Sequence, residues 1–140
     1  MSKRTLTPEI VDRLLAEARS AAGRAYAPYS SFSVGAAALL PDGRIVTGCN
    51  VENASYPLSH CAERTAAVKV AELGERTIVA IAVSSPRLIA VTPCGGCRQV
   101  LNEFHPAEGD MIVILDAETE PELLTLDELL PRNFGRPGSR

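Results

Sequence analysis

Three stretches of the chain, 32–40, 77–84 and 111–115, are apolar almost without interruption. Runs this short read as buried strands, and none approaches the roughly 20 residues of a membrane span. Segments of helical periodicity alternate with them. Thr7-Pro8-Glu9 offers an N-cap, a first-turn proline and an early acid. Ile10, Val11, Leu14, Leu15, Ala18, Ala21, Ala22 and Ala25 then recur on one face, with Pro28 as the expected end. Pro41-Asp42-Gly43 turns the first strand back into a second over 44–50, making a hairpin. A helix is expected from near Cys61 to Leu73, stopped by Gly74. Another opens at Pro93-Cys94, with Cys97, Val100, Leu101 and Phe104 on one face. A short strand near Leu123-Leu124 and a short helix over 126–130 complete the order. The hairpin supplies antiparallel pairing and the later strand–helix–strand units parallel pairing. Helices covering a mixed sheet, an α/β layer fold, follow from that alternation.

Length and charge narrow the function. With 140 residues, 46% hydrophobic and 22% charged, the chain has room for one ordinary globular domain. We expect it to occupy 1–134, with a loose tail over 135–140. Fourteen Lys and Arg against seventeen Asp and Glu leave a net charge of −3, which argues against binding long nucleic acid. Met1-Ser2-Lys3-Arg4-Thr5 leads into an amphipathic stretch and not an apolar signal core, so a cytoplasmic protein is expected, away from membranes. Four cysteines in that compartment read as reduced thiols, available for metal or catalysis.

The chemistry concentrates in Cys61-Ala62-Glu63-Arg64 and Pro93-Cys94-Gly95-Gly96-Cys97-Arg98-Gln99. Each segment sits where a helix is expected to start, and the positive end of a helix favours thiolate. Cys94 and Cys97, three apart, face the same way in a first helical turn. Together with Cys61 they make a three-thiolate zinc site whose fourth position stays open for water. Glu63 lies on the other side of its turn, free to handle protons at that open corner. Cys-x-Glu followed by Pro-Cys-x-x-Cys is the three-cysteine form of the zinc deaminase signature. Three thiolates over-neutralise Zn²⁺, and Arg64, with Arg98 as second choice, is the cation expected to compensate.

From about Tyr29 to Phe134 the chain resembles the small cytidine deaminases, the homotetrameric branch that acts on free cytidine and deoxycytidine. The resemblance rests on Phe32-Ser33-Val34-Gly35-Ala36-Ala37, Asn50-Val51-Glu52-Asn53-Ala54-Ser55-Tyr56, both cysteine segments, and Leu129-Leu130-Pro131 with Phe134. It implies a three-layer α/β/α sandwich with a five-stranded mixed sheet. It implies zinc on Cys61, Cys94 and Cys97, with Glu63 as proton shuttle. Asn50 and Glu52 would bond the ribose hydroxyls, Phe32 would pack on the pyrimidine and Ala62 would line the substrate site. Phe134 would stack on a base in a neighbouring subunit's pocket, and Ala54 to Tyr56 would reach across the same interface.

Blander readings remain open for each feature. Cys94-x-x-Cys97 alone could be a redox pair, and Cys49 could close a structural zinc site, although a buried apolar cysteine is commoner. Asn50 and Glu52 could simply cap a turn. Phe32 by itself suits a core, His60 a solvent or interface position, and His105 a loop. A deaminase of a modified cytosine nucleoside such as blasticidin S, and a non-catalytic zinc-stabilised binding protein, are the competing functions. Glu63 separates the last of these, since a scaffold needs no acid beside its metal. The segment 84–92 lacks the acidic residue often found after the third strand in this family, and its role is open.

Overall fold

The computed structural model describes residues 6–136. Helix α1 covers Pro8–Ala22, followed by strands β1 (Gly35–Leu39) and β2 (Ile45–Cys49). A 3₁₀ turn at Tyr56–Leu58 precedes α2 (Ala62–Glu72), β3 (Ala80–Ser84), α3 (Gly95–Asn102), β4 (Ile112–Leu115), β5 (Glu122–Thr125) and α4 (Leu126–Leu129). The Thr7 hydroxyl accepts a hydrogen bond from the Ile10 amide at 3.3 Å, so the expected N-cap is in place.

The far end of α1 differs from expectation. It stops at Gly23, not Pro28, because the following segment is drawn across to 50–52. There the Tyr26 amide donates to the Asn50 carbonyl and the Glu52 amide to that of Tyr26. The first strand is also shorter than 32–40, and residues 32–34 leave the ladder to meet the Asn50 side chain.

The sheet runs β2-β1-β3-β4-β5. β1 is antiparallel to both β2 and β3, β3 and β4 are parallel, and β4 and β5 are antiparallel. Direct parallel pairing is thus limited to β3 and β4, less than the expected run of strand–helix–strand units suggested. β2 and β3 still run parallel to each other on either side of β1, as the α2 crossover requires.

Side chains of the central strands alternate between two cores. Ala37, Leu39, Ala80, Ala82, Ile112 and Ile114 meet Leu14, Leu15 and Ala18 of α1 on one face. Ala36, Ala38, Ile81, Val113 and Leu115 meet Ala62, Ala66, Ala67, Val70 and Leu101 on the other, beneath α2 and α3. The result is the expected α/β/α sandwich around a five-stranded mixed sheet. Two glycines set its thickness. A Cβ on Gly35 would stand 1.9 Å from the Ala18 carbonyl oxygen, and one on Gly48 would stand 2.5 Å from both the Ala62 oxygen and the Ala66 nitrogen. Backbones therefore touch at both places, and α2 is seated on β2 within one turn of its start.

Of the tail expected from Gly135, Arg136 is held by hydrogen bonds to Asn102 and Asp127. Residues 1–5 and 137–140, which carry the N-terminal segment and the rest of that tail, lie outside the described residues. Among the described residues no helix is long and apolar enough to cross a membrane.

Candidate active site

α2 and α3 begin at the carboxyl ends of β2 and β3, the edge where α/β sheets collect ligands. Cys61 is the N-cap residue of α2 and Cys94 that of α3, and neither side chain caps its helix. Their thiols are therefore free to turn toward each other. Sγ of Cys94 lies 3.5 Å from that of Cys97 and 4.0 Å from that of Cys61. All three sulfurs fall within 4.8 Å of one another. Sulfurs on a tetrahedron with 2.3 Å zinc–sulfur bonds stand about 3.8 Å apart, so the donor set fits zinc. Cys49 is not in the group: its thiol faces the Arg24 carbonyl at 3.6 Å.

The electrostatics suit a metal-binding trio. Hydrogen bonds from Cys97 and Cys94, with the Arg64 charge, pull the Cys61 thiol down to about 5, while the bond with Cys61 and burial push Cys97 upward. Cys61 is thus the thiol most ready to ionise, and a cation that binds the group displaces the protons of the others. Arg64 donates through Nη2 to the Ser59 carbonyl at 2.8 Å, but its buried Nε has no hydrogen-bond partner. An orphaned guanidinium nitrogen beside a cluster of thiols is accounted for once those thiols carry full negative charge. Arg98, the second choice, is spoken for by two carbonyls, those of Pro93 and Leu129, each at 2.8 Å.

Glu63 stands in the first turn of α2 and is only 4% exposed. Burial pushes its carboxyl up to about 7. A group poised there can both accept and donate a proton at neutral pH.

Glu63, Cys61 and Cys94 border a pocket of about 270 Å³, whose wall also includes Phe32, Asn50, Glu52 and Ala62. These seven of the sequence-predicted residues therefore meet at one pocket. Asn50 donates through Nδ2 to the Phe32 carbonyl at 2.7 Å, and its Oδ1 accepts the Val34 amide at 2.8 Å. Glu52 accepts the amides of Tyr29 and Ser30 at 2.9 and 3.1 Å and also the Ser30 hydroxyl. These bonds hold its carboxyl below the ordinary range, the Ser30 hydroxyl contributing most. Both side chains keep capacity in hand: Asn50 has a second N–H and a second lone pair, and a carboxylate has about four acceptor sites.

Ala54, Tyr56 and Phe134 stand apart from that pocket wall. Tyr56 is 77% and Phe134 82% exposed; the Tyr56 carbonyl accepts the Ser59 amide, and that of Phe134 accepts from Gln99 and Asn102. Sequence reasoning missed Ser30, whose hydroxyl joins Glu52 to the Phe32 amide, and Val91 and Thr92, which complete the wall. A lone serine or valine carries no local signal of such a place. His60, expected at the surface, is exposed and also belongs to the wall. His105, expected in a loop, has its ring buried, with Nδ1 2.8 Å from the Pro106 carbonyl.

A buried carboxyl beside three converging thiols at two helix starts, at one edge of a three-layer sandwich, is the arrangement a zinc-dependent hydrolase of the deaminase class needs. The match with known proteins is close. Residues 8–113 match the model of the cytidine and deoxycytidylate deaminase zinc-binding region. A cytidine deaminase of Halalkalibacterium halodurans is 46% identical over 121 residues, spanning 86% of this chain and 91% of its own. The crystal structure of a cytidine deaminase from Burkholderia pseudomallei superposes with a TM-score of 0.81 at 40% identity, covering 92% of this chain and all of that one. A Mycobacterium tuberculosis cytidine deaminase follows at 0.76 and 44%, covering 89% of this chain and 96% of its own. The chain belongs to the cytidine and deoxycytidylate deaminase family.

Proposed function

We propose that this chain, as one domain over 1–134, hydrolyses cytidine and deoxycytidine to uridine and deoxyuridine with release of ammonia. One observation carries the reading: a buried carboxyl that borders a pocket of about 270 Å³ stands beside three thiols that fit zinc. Cys61, Cys94 and Cys97 hold the metal. Zinc, when bound, supplies a water acidic enough to ionise near pH 7.

The rest is work for the side chains. Phe32 packs on the pyrimidine, Ala62 lines the base site, and the spare capacity of Asn50 and Glu52 takes the ribose hydroxyls. Glu63 receives the proton of the attacking water and delivers it to N3 of the ring, which makes C4 electrophilic. Oxygen adds to C4. Glu63 then takes the remaining proton of the added hydroxyl and passes it to the amino group, which leaves as ammonia while C4 becomes a carbonyl. Water and cytidine are consumed, uridine and ammonia appear, and the carboxyl returns to its starting state. Arg64 offsets the surplus negative charge of the thiolates.

The same reading covers the surroundings: a cytoplasmic enzyme of pyrimidine salvage, working as a homotetramer with shared sites. The exposed rings of Phe134 and Tyr56 support it, being large apolar groups that a single chain leaves uncovered. Ala54 and Tyr56 would then meet substrate from the neighbouring subunit.

Ammonia release from cytidine, measured with zinc content for the unaltered chain and Glu63→Gln, tests the proposal. The unaltered chain should turn over, and the variant should keep zinc yet lose about 10²–10⁴-fold in rate. An unaltered chain that is full of zinc and inert would refute it.

A further inference from the structure

Residues 84–90 have no part in the chemistry above, yet they grip the piece of backbone that carries Phe32. Ser85 donates its hydroxyl to the Ser33 carbonyl at 2.7 Å, and Arg87 donates through Nη1 to the Ser31 carbonyl at 3.0 Å. The two grips are joined, because the same Ser85 oxygen accepts the Arg87 amide at 3.1 Å. From the other side, Ser30 Oγ takes the Phe32 amide and the Asn50 side chain takes the Phe32 carbonyl and the Val34 amide. Phe32 is thus held between the carbonyls on either side of it and its own two backbone groups.

The backbone has a reason to need such holding. Ser31 has φ 57° and Ala90 has φ 54°, the left-handed region that side-chain-bearing residues avoid unless their surroundings hold them there. One of these residues precedes Phe32 and the other closes the gripping loop. The loop is itself fixed, by the Ser85–Leu88 bridge and by the Ala90 amide donating to the Asp116 carbonyl at 3.0 Å. Directly after it, Val91 and Thr92 form pocket wall and lead into Pro93-Cys94.

We propose that Ser85 and Arg87 are positioning residues for the base: by holding the carbonyls of Ser33 and Ser31 they aim the Phe32 ring across the pocket, and so set how tightly the pyrimidine is bound. The inference rests on the cytidine reading given above. It assigns the loop a specificity role without any contact to substrate, since what the loop controls is the backbone under the ring.

The test pairs steady-state kinetics on cytidine with amide exchange of the zinc-loaded, full-length chain. Arg87→Ala should raise KM about fivefold, the worth of one hydrogen bond, with kcat within about twofold. Arg87→Lys, which keeps a donor, should recover most of the loss, and Ser85→Ala should act in the same direction as Arg87→Ala. In both alanine variants the amides of Phe32 and Val34 should exchange several-fold faster while those of Gly35–Leu39 keep their protection. An unchanged KM overturns the proposal, and so does faster exchange that spreads through β1, which would mean general loosening. Should the unaltered chain fail to turn over cytidine, the functional reading falls and exchange alone decides whether the loop braces Phe32.

Discussion

Glu52 and Asn50 each do two things at once. Their side chains pin residues 29–34 through five hydrogen bonds, and each keeps a face toward the pocket. The turn-capping and substrate-binding readings of these residues are therefore not rivals. A different economy governs Arg64. Three thiolates on a divalent ion leave one surplus negative charge, and Arg64, whose charge acts on Cys61 and whose buried Nε is idle, is a group able to offset it. Arg64→Ala should keep the far-UV circular dichroism of the fold and lose roughly a hundredfold in kcat/KM, the scale of one well-placed donor. Full activity in that variant would remove the charge argument. At this scale the sequence was most legible where ligand spacing is local, as in Cys94-Gly95-Gly96-Cys97 and Cys61-Ala62-Glu63. Ser30 and Ser85 were not legible, because a serine's role is set by partners that lie 22 and 52 residues away.

Helices α2 and α3 owe their value to where they start. Both N-caps are cysteines, so the ends that carry partial positive charge are also the ends that carry the thiols. Gly48 decides where the first of those ends sits, since any side chain there meets the backbone of Ala62 and Ala66. Gly48→Ala should cost about 1–3 kcal/mol as overpacking. It should also weaken zinc binding, because the shift falls on the turn that holds Cys61 and Glu63. Thermal denaturation with a zinc titration reads both, and a variant with unchanged melting temperature and affinity would contradict the seating of α2. Caps and stops told the helices well: Thr7, Pro8 and Gly74 are all where local chemistry puts them. The overrun of α1 toward Pro28 and of the first strand toward Phe32 shares one cause. Alanines and aromatics keep their apolar pattern there, but the backbone leaves to bond with residues 50–52 and the Asn50 amide. The 3₁₀ turn at Tyr56–Leu58 has no buried residue and so left no periodic trace.

Across the whole molecule, periodicity announced strands and helices but not their order. Local pattern supplied five strands and a layered mixed sheet, the resemblance added the three-layer sandwich, and the antiparallel pairing of β1 with β3 comes from long-range contacts that no local pattern encodes. That order is what assembles the site. β2 and β3 flank β1 in the same sense, so the helices that follow them open side by side and deliver Cys61, Glu63, Cys94 and Cys97 to one edge. Zinc-edge X-ray absorption of the metal-loaded chain tests that assembly most directly. The account predicts three sulfurs at about 2.3 Å and one oxygen or nitrogen at about 2.0–2.2 Å, with one sulfur lost in Cys61→Ala. Four sulfurs around the metal, or a shell that Cys61→Ala leaves untouched, would contradict it.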